Sequence, residues 1–141
     1  MKKLYFMLAF LLLVCGCEKK NNSLECSINN DVDLYSNSVV IKVNDDSIII
    51  EQSFNVRDEF KELVGDSLFD SVIESYTLFD KDSIKVDSKK SDNGFNVNIK
   101  IDKTKMNDDA KNDIISLFNI DTNKNIDEIK KSLETDGYTC K

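Results

Sequence analysis

The sequence predicts an α+β domain, in which an antiparallel β-sheet built from a meander and a hairpin packs against two or three helices. Apolar and polar residues alternate in several short segments, which is the period of a half-buried strand. In longer segments the apolar residues recur every three or four positions, which is the period of an amphipathic helix. Antiparallel hairpins mixed with helices are typical of the α+β class.

Three strands are predicted near the start of the domain. Residues 23–28 and 38–43 alternate with a period of two, and the polar run 44–47 is a turn signal. Ile48 begins a third strand that extends to about Phe54. These three strands form the predicted meander.

The period changes after the third strand, and residues 57–78 form a predicted helical segment. Its apolar stripe comprises Phe60, Leu63, Val64, Leu68, Val72, Ile73 and Tyr76. Gly65 interrupts the segment and costs about 1 kcal/mol relative to Ala, so two shorter helices are an alternative to one.

A hairpin follows this helical segment. Residues 83–87 form a fourth strand, Asn93 and Gly94 tolerate the positive φ of a tight turn, and residues 95–101 alternate strictly. The polar positions of the fifth strand are Asn and Lys, so one face of the sheet is expected to meet water.

Two further helices complete the predicted helical layer. Residues 106–119 form a helix whose inward residues are Ala110, Ile114, Leu117 and Phe118. Asn125 and Glu128 fit a capping box at the start of the last helix. Gly137 fits the position just after the end of that helix.

The N-terminus has the pattern of an export signal. Lys2 and Lys3 precede an unbroken apolar run over residues 4–14. The run is too short to span a bilayer, which needs about 20 apolar residues.

Residues 14–17 (VCGC) look like the lipobox of bacterial lipoproteins, in which a small residue precedes the cysteine that is lipidated. Because Gly16 is small and Val14 is large, cleavage is predicted between Gly16 and Cys17, with lipidation of Cys17 rather than Cys15. An ordinary secretory peptide cleaved nearby and an N-terminal anchor are the alternatives.

This processing divides the chain into three parts. Residues 1–16 are the removed signal peptide, residues 17–22 hold the lipidated Cys17 and a short tether, and residues 23–141 form a single α+β domain. The diacylglycerol on Cys17 supplies two acyl chains, which suffice for a stable membrane anchor. The mature chain carries 17 basic and 26 acidic side chains, so anionic lipid repels it and attachment rests on the acyl chains. The predicted location is the extracytoplasmic face of the cell membrane.

Two cysteines remain after processing, Cys26 and Cys140. Outside the cytoplasm such a pair most simply forms a disulfide, which would join the start of the domain to a short last strand at residues 138–140. Two free thiols are the alternative. A metal site is disfavoured, because two sulfurs without His leave most of the ligand shell to carboxylates.

Four segments point to a known family. They are Val14-Cys15-Gly16-Cys17, Leu24-Glu25-Cys26, residues 95–102 (FNVNIKID) and residues 128–141 (EIKKSLETDGYTCK). With these segments the chain resembles the YehR-like family of small bacterial lipoproteins, whose function is unknown. The resemblance implies an α+β fold with an antiparallel sheet packed on helices, and it implies no catalytic residues.

Composition excludes several classes of site. The sequence contains no His, which excludes Ser-His-Asp and Cys-His catalysis and imidazole metal ligands. The net charge of −7 leaves no surplus of Lys and Arg to neutralise phosphates, so a nucleic-acid partner is not expected. No Ser has a Lys three residues later, and no Gly-rich phosphate loop is present.

The 26 acidic side chains offer many chance pairs, and no particular pair is predicted to be catalytic. The acids of residues 108–113 are expected to be solvated at a helix start. Residues 121–127 alternate oxygen ligands as a calcium loop does, but Ile126 and Ser132 stand where an EF-hand needs Gly and Glu. Arg57 is expected to form a surface ion pair, with a carboxylate clamp as the alternative.

The sequence therefore predicts a non-enzymatic, lipid-anchored envelope protein that binds an unknown protein or small-molecule partner, without a cofactor or metal. One alternative is a small ligand-capture lipoprotein that assists a transporter, which needs a deep apolar pocket between sheet and helices. A less favoured alternative is an envelope hydrolase, which would gather strongly shifted carboxylate pKa values in one cleft.

Overall fold

The structure is a computed structural model that describes residues 23–141. The strands are β1 (Leu24–Asp31), β2 (Tyr35–Val43), β3 (Ser47–Val56), β4 (Ile84–Ser91), β5 (Gly94–Asp102) and β6 (Thr139–Cys140). The helices are α1 (Lys61–Val64), α2 (Asp66–Thr77), α3 (Asp108–Phe118) and α4 (Ile126–Thr135), with 3₁₀ turns at Asp58–Phe60 and Lys103–Lys105.

The strands form one antiparallel sheet in the order β4-β5-β3-β2-β1-β6. The first three strands are the predicted meander. The β4–β5 hairpin joins the β3 edge of the meander, and β6 joins the β1 edge. The α+β fold is confirmed. The described residues hold four α-helices, one more than the upper expectation, and the additional one is the four-residue α1.

The strand register places the apolar residues on one face of the sheet. Ile41 pairs with Ile50, Ile50 with Ile99, and Ile99 with Val86, so a row of aliphatic side chains crosses four strands. Helices α2, α3 and α4 contribute to the same core cluster. They do so chiefly through the buried residues Phe69, Ala110, Ile114, Ile129 and Leu133. The alternate residues of the strands form the opposite, open face.

The helical segment after β3 differs from its prediction in which residues it buries. Gly65 adopts a φ of 67°, a value that L side chains rarely adopt, and it separates α1 from α2. The predicted single stripe is therefore broken. Leu63 and Leu68 were expected to face inward, but they are 80% and 50% exposed, and Phe69 is buried instead.

Three smaller predictions are also corrected. β4 continues to Ser91 instead of ending at Asp87, because it pairs with β5 along its whole length. Helix α3 begins at Asp108, because the side chain of Asn107 caps it by accepting from the Ala110 backbone N–H at 2.9 Å. Leu117, expected to face inward, is 37% exposed.

The sheet has two ends with different connections. At one end, here called the hairpin end, lie the β1–β2 connection (31–35), the segment from the end of β3 through α1 (56–64) and the β4–β5 turn (91–94). At the other end, here called the N-terminal end, β1 begins at Leu24, opposite Val43. Helix α2 runs from the first end to the second.

Candidate interaction surface

A disulfide joins Cys26 of β1 to Cys140 of β6, which are 114 positions apart in the sequence. The two residues are direct partners in the sheet. Next to them, Glu25 and Lys141 exchange both backbone hydrogen bonds, and the Lys141 ammonium lies 2.9 Å from the Glu25 carboxylate. The hydrogen bond and charge of Lys141 hold the pKa of Glu25 below its usual value. The structure thus contains the disulfide that was expected from the compartment.

The predicted cleavage and lipidation residues, Gly16 and Cys17, lie outside the described residues, as does the whole of the export signal. Between residues 23 and 141, the structure has no helix that is both long and apolar enough to cross a membrane.

Within residues 23–141, eight of the surface carboxylates each form an ion pair with one lysine. Lys85 binds Asp80 at 3.0 Å, and this contact lowers the pKa of Asp80. The pKa of Asp102 is lowered mainly by the hydroxyl of Thr104, with a second contribution from Lys105. These shifts favour the ionised form, whereas a carboxyl that acts as a general acid near neutral pH needs a raised pKa.

Residues 121–127, whose oxygen ligands alternate as in a calcium loop, form a turn and a helix cap. The Asp121 carboxylate accepts from the backbone N–H and the side-chain amide of Asn123, at 3.0 and 3.1 Å. Asn125 accepts from the Glu128 backbone N–H, and the Glu128 carboxylate accepts from the Asn125 backbone N–H, which is the predicted capping box. No group of three metal-ligating side chains occurs in the part of the chain that the structure describes.

The open face of the sheet is polar. Lys42 of β2 binds Glu51 of β3 at 2.8 Å. Beside this ion pair lies an open depression of about 400 Å³. Among its lining residues are Ser38, Val40, Ser53, Asn96 and Asn98. It lies on the solvent side of the sheet, so it does not correspond to the deep apolar pocket between sheet and helices that a capture protein would use.

The hairpin end carries the main apolar surface of the domain. Of the eight large apolar side chains that are exposed among residues 23–141, four lie in the segments of this end and a fifth, Leu68, lies in the first turn of α2, which begins there. These five, here called the hairpin-end patch, are Val32, Leu34, Tyr35, Leu63 and Leu68. Concentrated exposure of this kind marks a contact surface more often than scattered exposure does.

Arg57 holds the segments of the hairpin end together. Its guanidinium donates to the Asp31 carboxylate at 3.0 Å and to the Val32 carbonyl at 3.2 Å. Its backbone N–H donates to the Leu34 carbonyl at 3.1 Å. The predicted surface ion pair of Arg57 is therefore present, and it fixes the β1–β2 connection to the start of the helical segment.

Tyr35 of the patch packs on a cluster of three phenylalanine rings. The Tyr35 ring lies 5.2 Å from that of Phe54, which stacks on Phe95 at 5.4 Å. Phe69 of α2 meets both phenylalanines edge-on, at 6.4 and 6.2 Å. The exposed Tyr35 is thus part of a packed aromatic cluster.

The hairpin end is acidic. Its three segments contain six acidic and two basic side chains, a net charge of −4. Within the described residues, Asp31 is the one acid of these six that forms an ion pair. At the same end of the sheet, Asp31, Arg57, Asp58 and Glu59 line part of an open depression of about 620 Å³, which Ser36 and Asn55 of the open face also line. The surface therefore combines exposed apolar side chains with unneutralised carboxylates.

The surface ion pair of Arg57 was predicted from the sequence, but the exposure of the hairpin-end patch was not. Leu63 and Leu68 fit the same helical stripe as the partly buried Phe60, Val64 and Val72, so their spacing predicted burial. The one signal for their exposure was Gly65, which stands between them.

Comparison with known proteins adds no relative. No family model, no curated protein and no solved structure matches the chain.

Proposed function

We propose that this protein is a lipid-anchored envelope lipoprotein and that its domain is a non-enzymatic interaction module. In this proposal Cys17 carries the diacylglycerol, the domain lies on the extracytoplasmic face of the cell membrane, and the hairpin-end patch contacts the partner. The likeness to the YehR-like lipoproteins supports the anchor. The observation that carries the interaction role is the patch itself, an exposed apolar surface held by Arg57 and an aromatic cluster.

The disulfide supports the proposed compartment. Disulfides persist in oxidising surroundings and are rare in reducing cytosol. Cys26 is fully buried and pairs with Cys140 within the sheet, so the disulfide is part of the hydrophobic core.

The direction of β1 places the hairpin-end patch far from the proposed anchor. The tether joins the domain next to Leu24, at the N-terminal end of the sheet. From there β1 runs eight residues to Asp31, a distance of about 26 Å at the usual rise per residue. An anchor at Cys17 therefore leaves the hairpin-end patch at the end of the domain remote from the attachment point.

The two alternative functions have less support. A capture protein is expected to enclose its ligand, whereas the two depressions described above are open to solvent. A carboxylate hydrolase is expected to raise the pKa of its acid, whereas the carboxyl pKa shifts found here are downward.

Metabolic labelling with a palmitate analogue tests the anchor. The wild-type chain and a Cys15→Ala variant should both incorporate the label and fractionate with membranes. A Cys17→Ala variant should lose the label, and its precursor should retain residues 1–16. Labelling of Cys17→Ala, or loss of labelling in Cys15→Ala alone, contradicts the proposed anchor.

A further inference from the structure

We propose that the hairpin-end patch docks a cationic amphipathic segment of a partner protein. This inference deepens the interaction role proposed above and rests on it. The segment would place apolar side chains on the patch and Lys or Arg side chains at the depression lined by Asp31, Asp58 and Glu59, which lies at the same end of the sheet.

The apolar half of the inference rests on the exposure of Leu63 and on the packing of Tyr35. Leu63 is the most exposed large apolar residue at this end, at 80%. Tyr35 is 36% exposed while its ring packs on Phe54, so it can contact a partner without first becoming ordered. Aromatic side chains held in this way are frequent hot spots of protein interfaces, because little entropy is lost when they bind.

The cationic half rests on charge complementarity. Asp58 and Glu59 line the depression without an ion pair among the described residues, and Arg57 offsets one charge of the three acids there. A basic side chain of a partner would find carboxylates that are not already neutralised. Complementary charge would speed the encounter and fix the orientation of the segment.

The same charge disfavours two other occupants. A second copy of the chain would bring another end with a net charge of −4 against this one, which repels at ordinary salt. An anionic lipid surface is repelled for the same reason. A partner that is both apolar and basic avoids both penalties.

A designed peptide provides a direct probe. It contains Leu and Lys at the spacing of an amphipathic helix and one Trp, whose fluorescence reports binding because the protein contains no Trp. A peptide of the same composition in scrambled order keeps the charge but loses the apolar face. The purified full-length chain in zwitterionic detergent, with empty micelles as the blank, should bind the amphipathic peptide and bind the scrambled one at least about tenfold more weakly.

Matched variants locate the contact. Leu63→Ser should weaken peptide binding about tenfold. Leu78→Ser serves as the control, because Leu78 is 75% exposed and follows α2 near the opposite end of the sheet. Glu59→Gln should weaken binding more at low salt than at high salt, and Glu74→Gln on α2 should not. Circular dichroism should show unchanged folding in all four variants, since all four side chains are exposed.

Several outcomes would overturn the inference. Equal binding of the amphipathic and scrambled peptides would show mere attraction between net charges, and equal binding by Leu63→Ser and wild type would place the contact elsewhere. Dimerisation that Leu63→Ser abolishes would assign the patch to a second copy, and binding to anionic vesicles that Leu63→Ser abolishes would assign it to lipid. These measurements do not depend on lipidation of Cys17, so their failure is distinguishable from failure of the palmitate experiment.

Discussion

Reduction of the Cys26–Cys140 disulfide should destabilise the domain strongly without changing its sequence. The bond joins the first and last strands of the sheet, and the intervening segment spans 114 positions. Once the bond is reduced, β6 is held to β1 by the short ladder that pairs Ser27 with Thr139, by the two backbone hydrogen bonds and exposed ion pair between Glu25 and Lys141, and by the partly buried Tyr138. A two-residue edge strand of this kind is weak when it is not covalently attached.

The magnitude follows from the length of the closed loop. For a loop of this length, the chain-entropy model gives about 5 kcal/mol of stabilisation at room temperature, through restriction of the unfolded chain. With a urea m-value of about 2 kcal/mol/M, the unfolding midpoint should fall by about 2.5 M on reduction. Small domains are stable by about 5–15 kcal/mol, so the reduced protein should be marginal.

Urea titration monitored by circular dichroism, with and without a thiol reductant, measures this difference. A Cys26→Ala/Cys140→Ala variant is the control, because the reductant should leave its midpoint unchanged. If the reduced and oxidised wild-type proteins differ by less than about 1 kcal/mol, the closed loop contributes far less than the chain-entropy model gives. Restriction of the unfolded chain would then not be the main way in which the disulfide stabilises the domain.

Three further predictions concern single side chains. Gly94→Ala should lower the free energy of unfolding by about 3 kcal/mol in urea titration, because an added Cβ would lie 1.9 Å from the Phe54 carbonyl oxygen, and an unchanged midpoint would contradict this packing. Asn125→Ala should cost about 1 kcal/mol in the same assay by removing the helix cap, and no loss would show that the cap is dispensable. Glu25 has a pKa lowered by Lys141, so its carboxylate stabilises the fold above its ordinary pKa of about 4.5, and this advantage over Glu25→Gln should fade as the pH falls below that value. An advantage that grows on acidification would refute the ion pair.

The strands were predictable from the sequence because their information is local. A half-buried strand alternates with period two, and the segment of β5 shows that period without interruption. The capping box of α4 was equally local, since its two side chains and two backbone groups lie within one turn. The position of Cys140 beside Cys26 followed from a single chemical constraint once the compartment was inferred.

The hairpin-end patch was not predictable from the sequence, because its exposure depends on how distant segments meet. The periodicity of residues 57–78 assigned the exposed Leu63 and Leu68 to the same stripe as the partly buried Tyr76, as a continuous helix would. The positive φ of Gly65 breaks that continuity, and period alone does not show in which direction the next helix leaves. The link from Arg57 to Asp31 joins residues 26 positions apart, which no local pattern reports.

The distance of the patch from the proposed anchor helps to explain how it could remain exposed. An apolar surface next to the attachment point would compete with lipid for its own partner, whereas the hairpin end lies one strand length away from Leu24. In the proposed docking, its unpaired acids would keep two copies of this acidic chain apart, and the patch would stay exposed until a basic partner neutralised them. Because Arg57 and the rings of Phe54, Phe69 and Phe95 already fix its shape, docking would order few side chains of this domain. The same carboxylates would thus limit self-association and select the partner, and the salt dependence of Glu59→Gln measures that selection directly.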